Sequence, residues 1–294
     1  RRHELTQPAK EDDRVRQIDA LNAQTGPVLL AYPPAPDVDA ILARTVQRAP
    51  DCDIVADHGV HHSIWAVADR DVIGQLTALF DSMPALYVAD GHHRSAAASR
   101  VAAARRRNKS VDRNEAPYDY FLAAAFPHHQ MHILPYNRVV ADLNGLDRAR
   151  FLERIGERFW VEESIAPVAP SNASSFGLYF AGEWFRLSIR PDFIPESDPV
   201  ARLDVSLLAA NLLGPVLDIG DPRTDQRIDF IGGIRGLAEL ESRVDHGQAA
   251  CAFSLFATQM ADLMTVADAG MLMPPKSTWF EPKLADGLVS HVLD

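Results

Sequence analysis

Five side chains that can hydrogen-bond or titrate surround one glycine in the stretch from Ala89 to Ser95. This stretch, Ala-Asp-Gly-His-His-Arg-Ser, lies between an apolar strand-like run, Leu86 to Val88, and an alanine-rich helical run that ends at Arg107. A helix N-terminus at this junction offers free backbone N–H groups and a positive dipole end. With two histidines and an arginine beside it, the turn is suited to holding a phosphate or a carboxylate.

The residues of this turn divide into two predicted roles. Asp90 places a carboxylate beside the expected anion, where a general base or a metal ligand is useful, and we predict that Asp90 and His92 are catalytic. The predicted phosphate-binding residues are Gly91, His93, Arg94 and Ser95.

Eight of the 11 histidines fall between His58 and His132, and this clustering invites a metal-binding interpretation. Neighbouring residues on a strand face opposite sides, so each histidine pair supplies at most one ligand to a given site. The sequence contains no His-Glu-x-x-His helix motif and no Cys-x-x-Cys pair. We therefore assign no transition-metal site and favour a magnesium ion held by Asp90, another carboxylate and a substrate phosphate.

The C-terminal stretch from Met273 to Lys283 combines three prolines, two lysines and two aromatic residues. A proline-stiffened loop of this kind can present Lys276 and Lys283 to an anion. The alternative is a structural strap anchored to the core by its aromatic residues. The sequence contains neither a P-loop nor a Rossmann glycine motif, so neither competes with the Asp90 turn as the phosphate site.

Length and composition limit the class of protein. The chain has 294 residues, and we predict a phosphate-binding α/β domain at 1–115 and an α+β domain at 116–294 whose C-terminal loop returns to the site. The formal net charge of −11 argues against non-specific nucleic-acid binding. Two distant cysteines and the lack of a membrane-spanning apolar run predict a cytoplasmic protein. The sequence leaves the oligomeric state open.

Strands and helices alternate along the chain, which predicts an α/β to α+β fold with mixed sheets and flanking helices. A hairpin is expected from Phe176 to Ile189, a helix from Val205 to Leu217, and a further helix capped by Thr258. The polar segment 108–117 is a predicted linker.

A set of motifs spread along the chain resembles the DUF1015 family of bacterial and archaeal proteins. The motifs are Arg2 to Glu4 with Thr6, Lys10 to Arg14, His62 to Asp69, Tyr87 to Arg94, Ile133 to Val140, Asp204 to Ser206, Arg227 to Gly232 and Met273 to Lys283. Asn137 stands where the family usually has histidine, and Ser95 where an aromatic residue is common. Family members usually carry a further N-terminal portion, so we expect part of the fold or site to lie outside this sequence.

The Asp90 to Arg94 run is also similar to that of the free serine kinases of the ParB/sulfiredoxin-like superfamily. The resemblance implies a ParB/sulfiredoxin-like fold around the motif, nucleotide phosphates held at the helix N-terminus, and an upstream glutamate in catalysis. Glu4 is the glutamate that matches this role. Secondary candidates for the site are His3, His62, Arg138, Lys276 and Lys283.

These observations lead to one main hypothesis and two alternatives. The main hypothesis is a small-molecule phosphotransferase that uses a nucleotide with Mg²⁺ and places its phosphate at the Asp90 to Arg94 turn. The first alternative is a non-catalytic regulatory protein that senses a nucleotide or anion, and the second is a metal-dependent hydrolase built on the His58 to His132 histidines. A single site requires convergence of five residues, Glu4, His62, Asp90, His92 and Lys276.

Overall fold

The computed structural model describes residues 1–107, 116–281 and 283–294. Within these ranges the helices are α1 (Pro8–Leu21), α2 (Pro36–Thr45), α3 (Arg70–Asp81), α4 (His92–Arg107), α5 (Arg148–Gly156), α6 (Asp204–Leu208), α7 (Ala238–Asp245) and α8 (Met260–Asp268). The strands are β1 (Ala23–Gln24), β2 (Val28–Tyr32), β3 (Cys52–Val55), β4 (His61–Ile64), β5 (Tyr87–Asp90), β6 (Ala123–Pro127), β7 (His132–Leu134), β8 (Tyr136–Val140), β9 (Phe159–Ser164), β10 (Ser175–Phe180), β11 (Glu183–Ile189), β12 (Ile228–Gly232), β13 (Cys251–Leu255), β14 (Trp279–Glu281) and β15 (His291–Val292).

The larger sheet is antiparallel, with strand order β12-β8-β13-β10-β11-β9. Its β10–β11 pair is the predicted hairpin, and it turns through Ala181 and Gly182, which both have positive φ. Two successive left-handed residues match the right-handed twist of the flanking strands. The helices and sheets together form the mixed α/β to α+β architecture predicted from the sequence, so this prediction is confirmed.

A second, three-stranded sheet carries the Asp90 turn and has the order β5-β2-β6. The apolar run of β2 is buried at every position and lies at the centre, antiparallel to β5 and parallel to β6. Since β6 follows residue 115, this sheet crosses the division predicted at 115. The two-domain division itself, and the ParB/sulfiredoxin-like assignment, stay predictions. Residues 108–115 of the predicted linker lie outside the described residues.

One hydrophobic core joins the two sheets. Leu29 and Tyr87 of the small sheet belong to the same buried cluster as Phe151, Phe176 and Phe253 around the large sheet. Burying aromatic side chains removes much apolar surface from water, so this cluster holds the sheets against each other. The Asp90 turn is therefore carried by a small sheet that is backed by the main core.

Local expectations failed where tertiary contacts outweigh the sequence pattern. The helix expected from Val205 to Leu217 changes after α6 into a π-helix, Ala209–Leu213, where Asn211 Nδ2 donates to the Leu207 carbonyl. Thr258 does not cap α8, because its hydroxyl donates to the carbonyl of Ser277 on the C-terminal loop. No helix among the described residues is long and apolar enough to cross a membrane.

The carboxyl group of Asp204, the first residue of α6, is buried, and only one of its two oxygens has a hydrogen-bond partner. Its Oδ1 accepts a hydrogen bond from the Ser174 backbone N–H at 2.8 Å, whereas its Oδ2 is buried without a partner. Burial raises the pKa of Asp204 to about 7, opposed by the Ser174 N–H and reinforced by the negative charge of Asp262. The folded protein therefore favours the protonated acid.

This raised pKa predicts a loss of stability as the pH rises. At pH values between the pKa of Asp204 in the unfolded chain and its raised pKa in the folded protein, the native state binds more protons than the unfolded state. The free energy of unfolding therefore falls as the pH rises through this range. We expect the Asp204 contribution to fall by about 2 kcal/mol between about pH 5 and pH 8. Asp204→Asn should remove this decrease in urea unfolding experiments, and the exposed control Asp192→Asn should retain it. An unchanged pH profile in Asp204→Asn would contradict this assignment.

Candidate active site

The turn between β5 and α4 has the strand-to-helix geometry expected from the sequence. Gly91 adopts φ +95°, a conformation that favours glycine, and its carbonyl accepts the first helical hydrogen bond, from Ser95 N. The Asp90 carboxylate accepts a hydrogen bond from the Gly91 N–H at 2.7 Å. A Cβ on Gly91 would lie 3.1 Å from two nitrogens of the Arg94 guanidinium. The turn is therefore compact, and Arg94 folds back over it.

The first residues of the chain are held beside this turn by backbone hydrogen bonds. Val88 N of β5 donates to the Arg1 carbonyl, and Met273 N of the C-terminal loop donates to the His3 carbonyl, each at 2.8 Å. This extended segment lies between β5 and the loop. It brings His3 and Glu4 next to the Asp90 turn although 86 residues separate Glu4 from Asp90 in the sequence.

His3 and His92 form a buried edge-to-face pair, with ring centroids 4.5 Å apart and side chains only 2% and 5% exposed. Burial lowers the pKa of His3 to about 3 and that of His92 to about 4, so both imidazoles are neutral at physiological pH. His3 Nδ1 and His92 Nε2 are buried without a hydrogen-bond partner. Two neutral imidazoles thus place unused nitrogen atoms within the site.

The two carboxylates of the site differ in their electrostatics. Burial, with the charge of Asp90, raises the pKa of Glu4 above its usual range, although Lys276 and Lys10 oppose the shift. Burial also raises the pKa of Asp90, but two contacts outweigh it and bring that pKa below its usual range. These contacts are Lys283, whose Nζ lies 3.1 Å from Asp90 Oδ2, and the Gly91 N–H. Glu4 is therefore the more basic carboxylate, and Asp90 stays ionised.

Two cavities share these carboxylates in their linings. The helix cavity, about 500 Å³, lies over the N-terminus of α4 and is lined by Glu4, Ala9, Lys10, Asp13, Arg14, Asp90, Gly91, His92, His93 and Arg94. The loop cavity, about 160 Å³, lies under the C-terminal loop and includes His3, Glu4, Asp90, Tyr136, Lys276, Ser277, Thr278 and Lys283. Glu4 and Asp90 line both, so they form a wall shared by the two cavities.

The structure brings most of the predicted residues into these cavities. His93 lies in the helix cavity, where its Nε2 accepts a hydrogen bond from Gln7 N at 3.0 Å. Lys276 and Lys283 line the loop cavity, so the C-terminal loop contributes to the site. The aromatic residues of the loop also anchor it to the core. Of the five residues expected to meet in one pocket, Glu4, Asp90 and Lys276 line the loop cavity, and Glu4, Asp90 and His92 line the helix cavity.

Three predicted residues lie elsewhere. His62 is on β4 in the β3–β4 hairpin and lines neither cavity. The Ser95 hydroxyl donates to the His92 carbonyl within α4. Arg138 is buried in β8 and donates to the carbonyls of Tyr136 and Lys276, so it holds the C-terminal loop without facing the cavities. Periodicity and motif spacing could not reveal the positions of His62 and Arg138 because these depend on strand pairing and loop contacts.

The His58 to His132 histidines do not form one site among the described residues. Of the seven whose side chains the structure describes, only His92 belongs to a group of ligand atoms close enough to hold an ion, and the other members of that group are His3 and Glu4. His61 pairs with Asp53 on its own hairpin, and the rings of His128 and His129 meet edge to face on a separate 3₁₀ turn. These histidines lie on separate elements, and the metal-dependent hydrolase stays a prediction.

The sequence interpretation missed several lining residues. Lys10 and Arg14 project from α1, which packs along α4 through ion pairs from Arg100 to Glu11 and Asp12. Tyr136 starts β8, a strand that the sequence pattern did not reveal, and its hydroxyl lies 3.4 Å from Lys276 Nζ. The Lys10 to Arg14 motif was visible in the sequence, but nothing there indicated that it faces the Asp90 turn.

Residues 1–206 match the model of the protein family DUF1015, described as a protein of unknown function. The chain belongs to the DUF1015 family. The matched region covers the Asp90 turn and Glu4, while Lys276 and Lys283 lie beyond it. No curated protein sequence matches this DUF1015 chain.

Solved structures that align with the DUF1015 chain include a free serine kinase in complex with AMP, at 13% identity and a TM-score of 0.41, over 95% of this chain and 82% of that one. A mutant free serine kinase in complex with ADP aligns at 14% identity and a TM-score of 0.41 over the same shares. SbnI with a C-terminal truncation, from Staphylococcus aureus, aligns at 12% identity and a TM-score of 0.47, over 97% and 81%. Alignments at this level carry no conclusion about activity.

The positive φ of Gly91 predicts a specific cost for a side chain at this position. Gly91→Ala should lower the free energy of unfolding by on the order of 1–3 kcal/mol, because a Cβ is strained in this conformation and crowds Arg94. The control Gly74→Ala changes an exposed glycine in α3 with open space around it, and it should stabilise by about 1 kcal/mol. Urea unfolding measures both. Equal stability of the two variants would contradict the strained turn.

Proposed function

We propose that this DUF1015 protein is a small-molecule phosphotransferase that binds a nucleotide or another phosphorylated donor at the Asp90 to Arg94 turn. The donor phosphate occupies the helix cavity, and the hydroxyl-bearing acceptor occupies the loop cavity. The observation that carries the proposal is the wall of Glu4 and Asp90, which faces both cavities. Phosphoryl transfer needs donor and acceptor in line with a carboxylate beside the attacking hydroxyl, and two carboxylates shared by adjoining cavities support this proposal.

The helix cavity has the chemistry of a phosphate site. The first N–H groups of α4 have no intrahelical partner and lie at the positive end of the helix dipole. Arg94, Lys10 and Arg14 add positive charge around this opening, and Arg94 Nε is buried without a hydrogen-bond partner. A phosphate would satisfy these donors, which supports placing the anion here rather than in the loop cavity.

Glu4 is the better candidate for the general base. Its pKa is raised, which increases its affinity for a proton, whereas Asp90 is engaged by Lys283 and has a lowered pKa. In the transfer step Glu4 takes the hydroxyl proton while the acceptor oxygen bonds to phosphorus and the bond from phosphorus to the donor oxygen breaks. The donor leaves with that electron pair, and Asp90 keeps its negative charge throughout.

The donor set of the wall also fits Mg²⁺, which prefers carboxylate oxygens, phosphates and water. The side chains of Asp90 and Glu4 are 42% and 46% exposed, so both can reach an ion that retains waters. We assign Asp90 as the main holder of the ion. When bound, Mg²⁺ would neutralise phosphate charge.

The proposal is tested by incubating the full chain with Mg²⁺, an acceptor and each of ADP, ATP and pyrophosphate. L-serine is the first acceptor to try because of the motif similarity noted above. We expect a phosphorylated product detectable by mass spectrometry. Glu4→Gln should lower kcat by about 10²-fold or more while donor affinity changes little, because it removes only the base.

A second variant separates donor binding from the chemical step. Arg94→Met should weaken nucleotide binding by about 10-fold, because a charge-assisted hydrogen bond is lost. Exposed residues on the large sheet provide matched controls, and Glu162→Gln and Arg186→Met should leave both properties unchanged. Nucleotide binding without turnover would favour the sensing alternative instead. Absence of both binding and turnover with all three donors would overturn the proposal.

A further inference from the structure

Three side chains at the wall between the cavities form a group with the composition of a metal site. One ligand atom from each of His3, Glu4 and His92 lies within 4.8 Å of the other two, and no other group of three or more His, Cys, Asp or Glu residues in the described ranges meets this condition. His92 Nδ1 is 3.5 Å from Glu4 Oε2, and the two imidazole rings meet edge to face.

Both histidines carry an unused ring nitrogen in a buried setting. His3 and His92 are each more than nine-tenths buried, and His3 Nδ1 and His92 Nε2 have no hydrogen-bond partner. A buried polar atom without a partner is costly, and an ion or ligand bound at His3 Nδ1 would remove that cost, whereas on His92 the nitrogen that faces Glu4 is Nδ1 and not the unpartnered Nε2. The fold therefore maintains two polar side chains whose hydrogen bonding is incomplete.

We propose that His3, Glu4 and His92 bind a divalent first-row transition-metal ion of the Zn²⁺ or Fe²⁺ class. Two imidazoles and one carboxylate form a donor set that suits these ions, and it leaves coordination positions open. Ligand bonds of about 2.0–2.2 Å require the three atoms to approach more closely than they do now. Glu4 can supply the movement because nearly half of its side chain is exposed, whereas the two rings are fixed by packing.

The position of this group determines what a bound ion would contact. His3 and Glu4 line the loop cavity, and Glu4 and His92 line the helix cavity, so the ion borders both cavities and its open positions are available to a ligand in either one. This ion differs from Mg²⁺ of the proposed phosphotransferase, which takes oxygen ligands. A transition metal here would occupy the Glu4 carboxylate and so slow any proton transfer that Glu4 performs.

The test is a Co²⁺ titration of the tag-free full chain in excess Mg²⁺ and without nucleotide, followed by visible absorption. We expect one Co²⁺ per chain with a spectrum typical of nitrogen and oxygen ligands, and Zn²⁺ should displace it. Glu4→Gln, His3→Gln and His92→Gln should each weaken binding by about 10-fold or more. Glu4→Gln changes a half-exposed side chain and is the variant least able to disturb folding.

The control variant is His129→Gln, which removes an exposed histidine on the 3₁₀ turn at His128–Gln130 and should leave Co²⁺ affinity unchanged. Absence of stoichiometric Co²⁺ binding would overturn the proposal, as would binding that Glu4→Gln and His92→Gln leave intact. Binding is measured without any phosphoryl donor, so its outcome does not depend on whether the protein is a phosphotransferase.

Discussion

The site depends on the docking of the first few residues between β5 and the C-terminal loop. Two backbone hydrogen bonds, from Val88 N to the Arg1 carbonyl and from Met273 N to the His3 carbonyl, join three segments that are far apart in the sequence. These two bonds hold the segment in one register against β5 and the loop. That register places Glu4 against the Asp90 turn and places His3 against His92. Without it the turn would be a helix N-terminus with no opposing carboxylate.

Burial then makes chemically similar groups behave differently. Glu4 and Asp90 are neighbours, and lysines act on both, but only Asp90 forms a direct ion pair, with Lys283, and also accepts the Gly91 N–H. The inferred division of labour between a proton acceptor and a permanent anion follows from this difference in contacts. The same burial keeps His3 and His92 neutral, which leaves their nitrogens available as ligands or hydrogen-bond acceptors.

The sequence predicted the local parts of this arrangement and missed the long-range ones. The Asp90 turn and the β10–β11 hairpin follow from glycine placement and apolar patterns that act over a few residues. The failed helix cap at Thr258 and the misplaced His62 depend on strand pairing and loop contacts that no local pattern encodes. Glu4 was reached only through a motif resemblance, because nothing in its own neighbourhood indicates that it meets Asp90.

The proposed phosphate site is the N-terminus of α4, next to Glu4. Nuclear magnetic resonance of the ¹⁵N-labelled chain during titration with ADP and Mg²⁺ measures phosphate binding there directly through the backbone amides. We expect the largest saturable shifts at Gly91 to Arg94, with smaller shifts at Glu4 and Lys10. Saturable shifts confined to other parts of the chain, or no shifts at the α4 N-terminus with any phosphorylated donor, would contradict it.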